Sequence, residues 1–180
     1  YLSLNSAELL IAFGGERANI PWYEILEWMI LHEKGHLQCK DLYERPEVSA
    51  QVLMNVEDYY IDKYLLPEKY WRVCKMNAKC ATVIRNISPL PYDLRDEYYY
   101  TTLATFLAYG AITPEDFSFL KPSEAKFVEI ISRLFEKIEK AEEIPAAARE
   151  IEGVFKELYP PKGVSWDNWQ IANLKKGNNL

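Results

Sequence analysis

The chain has 180 residues, 49% of them hydrophobic and 27% charged, with only 7 glycines; this excludes wholesale disorder and favours packed helices over a turn-dense β-sandwich. Its 27 acidic and 21 basic residues leave a net charge of −6, which argues against nucleic acid as a partner, because phosphate contacts need a clustered positive field. No run approaches the ~20 apolar residues that span a bilayer.

In chain order, Ala7–Phe13 (AELLIAF) is a short apolar segment closed by Gly14-Gly15 and reads as a strand. Pro21 then opens a helix expected to run to Cys39, with proline in the first turn, where its missing N–H costs nothing. A second helix is expected between Pro46 and Pro67, and further helical patterns cover residues 68–86, 93–109, 123–140 and 144–158. Gly110 stands where a left-handed residue closes a helix, Thr113 with Asp116 resembles a capping pair, and Ser123 is the expected N-cap of the next helix. The tail after Tyr159 reads as a loop and a short helix around Trp166 and Trp169. The expected class is mostly α with a small β element. A soft boundary near Ile87–Tyr92 separates a catalytic-looking part (1–90) from a helical part (91–180).

Three cysteines, Cys39, Cys74 and Cys80, are an odd count without a dense framework. Free thiols in a reducing compartment fit them better than a disulfide scaffold, so a cytoplasmic location is expected.

The chemistry concentrates on the first helix. The only two histidines, His32 and His36, enclose His32-Glu33-Lys34-Gly35-His36. Positions i and i+4 share a helical face, so both imidazoles can hold one cation, and Glu33 can act on a water beside it as general base. Gly35, inside a helix at a cost of roughly 1 kcal/mol relative to alanine, implies a close approach by another backbone, a substrate or a neighbouring helix.

A hydrolytic zinc site usually has three protein ligands, and no third histidine exists. The next helix offers a carboxylate in Asn55-Val56-Glu57-Asp58-Tyr59-Tyr60-Ile61-Asp62. Glu57 has Leu53, Met54, Tyr60 and Ile61 as helical neighbours, and a carboxylate in such a stripe requires a partner. Asp58 and Asp62 are expected on a polar arc with Gln51 and Asn55. Cys39, three residues after His36, is the rival ligand; Cys74 and Cys80 read as packing residues.

These two helices resemble the gluzincin metallopeptidases, above all the small archaeal minigluzincins. The likeness covers about Ala7–Leu66, a third of the chain. It implies one zinc ion held by His32, His36 and Glu57, with Glu33 as base and acid in peptide hydrolysis. It further implies that an edge strand, here Leu9, Leu10, Ile11, Ala12 and Phe13, pairs with a peptide or unfolded protein substrate. Larger gluzincins often place an aspartate four residues after the ligand glutamate, where it orients a histidine. Ile61 occupies that place after Glu57, whereas Asp58 and Asp62 do stand in that relation. The third ligand therefore stays open between Glu57 and Asp58. The resemblance also implies latency, with the C-terminal segment occupying the cleft. A tyrosine or arginine must stabilise the oxyanion: Tyr59, Tyr60, Tyr98, Tyr99, Tyr100 and Arg85 are candidates. The alternative function is a catalytically degenerate metal-binding or helical interaction module, docking through the Glu- and Lys-rich segment Ser123–Lys140.

Overall fold

The computed structural model describes residues 20–39, 48–86, 95, 97–113, 115, 119–160, 164 and 168. Among these residues the regular structure is helical: α1 (Trp22–Cys39), α2 (Ala50–Tyr60), α3 (Trp71–Asn86), α4 (Glu97–Ala108), α5 (Pro122–Phe135) and α6 (Ile144–Leu158). The segment expected as a strand, Ala7–Phe13, lies outside the described residues, as do the expected boundary at 87–92, Asp116 and nearly all of the tail. Among the described residues no helix is long and apolar enough to cross a membrane.

Pro21 accepts the Glu24 amide N–H at 3.0 Å and starts α1. Glu24 in its first turn and His36 in its last both suit the helix dipole. Helix α2 does not simply stop. It widens into a π-turn over Ile61–Leu65, closed by the Leu66 N–H on the Ile61 carbonyl at 3.1 Å, before Pro67 prevents continuation. A 3₁₀ turn, Glu68–Tyr70, then leads into α3.

Gly110 has φ of 62° and ends α4 as its position suggested. Its N–H reaches the Leu107 carbonyl at 2.8 Å and the Ala111 N–H reaches Phe106 at 3.1 Å, the paired bonds of a Schellman motif. At α5 the expectation needs correcting. The helix begins at Pro122, so Ser123 lies inside the first turn, buried, and the Glu124 carboxylate accepts the Lys121 N–H at 2.9 Å instead. Nor does α5 extend to Lys140. It ends at Phe135, and Glu143 accepts the amide N–H groups of Glu139 and Lys140 at 2.8 and 3.0 Å, turning the charged stretch toward α6. The inward face of α5, with Phe127, Val128, Ile131 and Phe135, is buried in the core.

Helix α2 is central. It packs on α1, α4 and α6, while α5 packs on both α4 and α6 and α3 lies against α1 and α4. Residues from both sides of the expected boundary, from Trp28 and Val56 to Tyr100, Phe135 and Ile151, share one apolar core. Burying side chains of this size contributes about 1.5–3 kcal/mol each. Beside this core lies a polar cluster: Arg95 and the Tyr100 hydroxyl donate to Glu124 at 2.7 and 2.6 Å, and the Tyr159 hydroxyl donates to the Arg95 carbonyl at 2.7 Å.

Candidate metal centre

The two histidines reach α2 because α1 and α2 approach very closely, and Gly35 permits the approach. A Cβ on Gly35 would stand 2.5 Å from Ile61 Cγ2 and 3.1 Å from Ile61 Cγ1. Of the explanations open for this glycine, tight packing on the neighbouring helix is the one observed, and its partner is the fully buried Ile61 at the head of the π-turn.

Across this contact each imidazole meets a carboxylate behind it. His32 Nδ1 lies 2.9 Å from Asp62 Oδ1, and His36 Nδ1 lies 2.9 Å from Glu57 Oε1. An ionised carboxylate only accepts hydrogen bonds, so both Nδ1 atoms carry protons, and in the neutral rings that a metal ion requires both Nε2 atoms would present lone pairs. Those Nε2 atoms are 3.2 Å apart, and Asp58 Oδ1 lies 3.5 Å from that of His32 and 3.4 Å from that of His36. Three donor atoms converging on one point repel each other unless a positive charge lies between them, either a proton on Nε2 or a metal ion.

The donor set fits zinc. Tetrahedral bonds of ~2.0 Å put neighbouring ligand atoms ~3.3 Å apart, and the three observed separations bracket that distance. His32, His36 and Asp58 are the residues among those described whose donor atoms cluster in this way. The charge balance agrees. Three carboxylates surround two imidazoles, and Glu57 is fully buried with its Oε2 unpartnered, a costly state without a positive neighbour. The side chains of His36 and Asp58 are 25% and 33% exposed, so the cluster opens to solvent on one side.

The same groups make the histidines unusually basic. Burial pulls His32 down, but the hydrogen bonds it donates to Asp58 and Asp62, with the charge of those carboxylates, outweigh it and push its pKa up to about 10. Glu57 raises that of His36 in the same way, against burial.

The structure thus places Asp58, rather than Glu57, in the converging triad, with Glu57 behind His36. It also corrects the polar-arc expectation for Asp62, which is buried. Trp28 Nε1–H donates to its Oδ1 at 2.9 Å and the Tyr109 hydroxyl to its Oδ2 at 2.9 Å. Asp62 on that arc faces α1 and the end of α4, whereas Asp58 stays partly exposed. Trp28 was detectable in the sequence, since it precedes His32 by four residues on one helical face. Tyr109, 47 residues from Asp62, left no such signal.

Glu33 follows His32 on α1 with an exposed side chain that makes no hydrogen bond or ion pair among the described residues. Cys39 is buried and outside the triad, and burial pushes its thiol pKa up to about 11. Of the proposed oxyanion donors, Tyr100 is occupied by Glu124, and Tyr59 packs among Trp71, Tyr109 and Phe135. The side chains of Tyr98 and Arg85, and residues Leu9, Leu10, Ile11, Ala12 and Phe13, lie outside the described ones. Comparison with protein-family models, curated proteins and solved structures returns no match to this chain.

Proposed function

We propose that this chain is a zinc-dependent hydrolase of peptide bonds in which His32, His36 and Asp58 hold the ion and Glu33 is the general base. The observation that carries the reading is the triangle of donor atoms, 3.2, 3.4 and 3.5 Å on its sides, with a carboxylate fixing each imidazole from behind. Zinc in such a site lowers the pKa of water toward ~7 and polarises a carbonyl.

The chain's own groups do the rest. Glu57 and Asp62 hold each imidazole with its Nε2 lone pair turned toward the ion, the part that outer carboxylates play in zinc sites. Glu33, on the solvent side of α1 beside His32, takes a proton from water and returns it to the leaving amine. The exposed edges of His36 and Asp58 give an extended peptide or unfolded protein access to the centre. The buried free thiols of Cys39 and Cys74 suit a reducing, cytoplasmic setting.

The test uses protein purified without added metal. Elemental analysis should find about one zinc per chain, and hydrolysis of an unstructured polypeptide should stop on chelation and return with zinc. Glu33→Gln should keep the metal while hydrolysis falls by about 10²-fold or more. Parent-rate hydrolysis by that variant would refute the mechanism. A zinc-loaded parent that leaves the polypeptide intact would refute the peptidase reading and leave a metal-holding helical module.

A further inference from the structure

Asp62 is gripped on both oxygens. Trp28 Nε1 and His32 Nδ1 both lie 2.9 Å from Oδ1, and the Tyr109 hydroxyl lies 2.9 Å from Oδ2. Tyr109 stands at the end of α4, directly before the left-handed Gly110 that stops the helix. Its ring is held in turn by Tyr59 and Trp71, at centroid separations of 5.4 and 5.1 Å. A helix from the C-terminal half of the chain therefore reaches the back of the metal centre.

We propose that Tyr109 is a positioning residue for the metal centre: by occupying Oδ2 it fixes the plane of the Asp62 carboxylate, and through Asp62 it fixes the His32 ring. This rests on reading His32, His36 and Asp58 as a metal centre, but not on which reaction follows. A carboxylate held through one oxygen alone has more freedom to turn about its Cβ–Cγ bond. Turning the carboxylate weakens the bond that keeps the proton on His32 Nδ1 and leaves Nε2 for the ion.

The rival explanation is that the bond merely ties α4 to α2, and the fold supplies a matched control. Tyr100, on the same helix and also buried, donates to Glu124 at 2.6 Å, in the polar cluster beside the core rather than at the metal centre. Tyr100→Phe and Tyr109→Phe each delete one buried hydroxyl–carboxylate bond.

Zinc affinity of the full chain, measured by competition with a chromogenic chelator, is compared with the melting temperature of the metal-free protein. Both variants should melt lower than the parent. Tyr109→Phe alone should weaken zinc, by about 10-fold, the lower end of what loss of an outer-shell partner costs. In an Asp62→Asn background, Tyr109→Phe should add little further loss, because the two residues act in series. Measurements in sucrose, which favours the folded state, keep the comparison available where a variant is too unstable in plain buffer. A parent chain that binds no zinc removes the metal centre itself. A parent that binds zinc while Tyr109→Phe binds it within about twofold, or while Tyr100→Phe weakens it equally, overturns the role of Tyr109 alone.

Discussion

Gly35→Ala adds one methyl group at the tightest point between the two metal-holding helices. Its Cβ would begin 2.5 Å from Ile61 Cγ2, about 1 Å short of an ordinary carbon–carbon contact. Ile61 is fully buried and opens the π-turn, so it cannot swing into solvent, and relief requires α1 to move from α2. A shift of about 1 Å would open the 3.4 and 3.5 Å sides of the triangle, those to Asp58, well past the ~3.3 Å that zinc spans.

Two effects on the metal-free fold oppose each other. Overpacking costs about 1–3 kcal/mol, and alanine recovers about 1 kcal/mol of helix propensity, so the net loss is small. Zinc affinity should fall much further, by roughly 100-fold, at or beyond the upper end of what an outer-shell change costs. Chelator competition reads this directly, and the rise in melting temperature on adding zinc should shrink in parallel. Adding Ile61→Ala removes the three atoms nearest the new methyl. The double variant should regain much of its zinc affinity although it melts lower, since emptying a buried isoleucine site costs about 2–5 kcal/mol. Gly35→Ala with parent zinc affinity would refute the claim that this contact sets the spacing of the donors.

The two adjacent carboxylates make separable contributions. Asp58→Ala should strip zinc, whereas Glu57→Gln should retain it with roughly 10- to 100-fold weaker binding; the reverse order, read by the same competition, would assign the ligand to Glu57. Burial pushes the Tyr59 phenol up to about 12 and that of Tyr109 well above its ordinary value, whereas unfolded phenols titrate near 10. Their raised folded pKa values contribute stability in full below about pH 10 that is lost as pH climbs toward 12. Melting temperature should accordingly fall steeply over that range, and phenolate absorbance appearing at ordinary pH with the fold intact would contradict it. If the C-terminal segment blocks the cleft, ending the chain after Val164 should raise hydrolysis of an unstructured substrate. Equal activity with an unchanged melting temperature would remove latency from the picture.

Much of this was legible in the residue order because it depends on local rules. Helical spacing put His32 and His36 on one face, proline and glycine marked the edges of α1 and α4, and the apolar neighbours of Glu57 foretold its burial. Local rules failed where a distant partner decides. Periodicity also carried α5 past its end at Phe135, because it does not register Glu143 capping the amides of residues 139 and 140 in a separate turn just beyond. Glu57 and Asp58 are adjacent in sequence and alike in charge, yet helical geometry turns them 100° apart. One therefore backs His36 and the other completes the triangle, a choice made by the angle at which α1 crosses α2. That crossing depends on Gly35 lying against Ile61, and the anchoring of Asp62 on where α4 ends. Both are contacts between segments far apart in the chain, and a one-dimensional pattern carries no information about them until the core has closed.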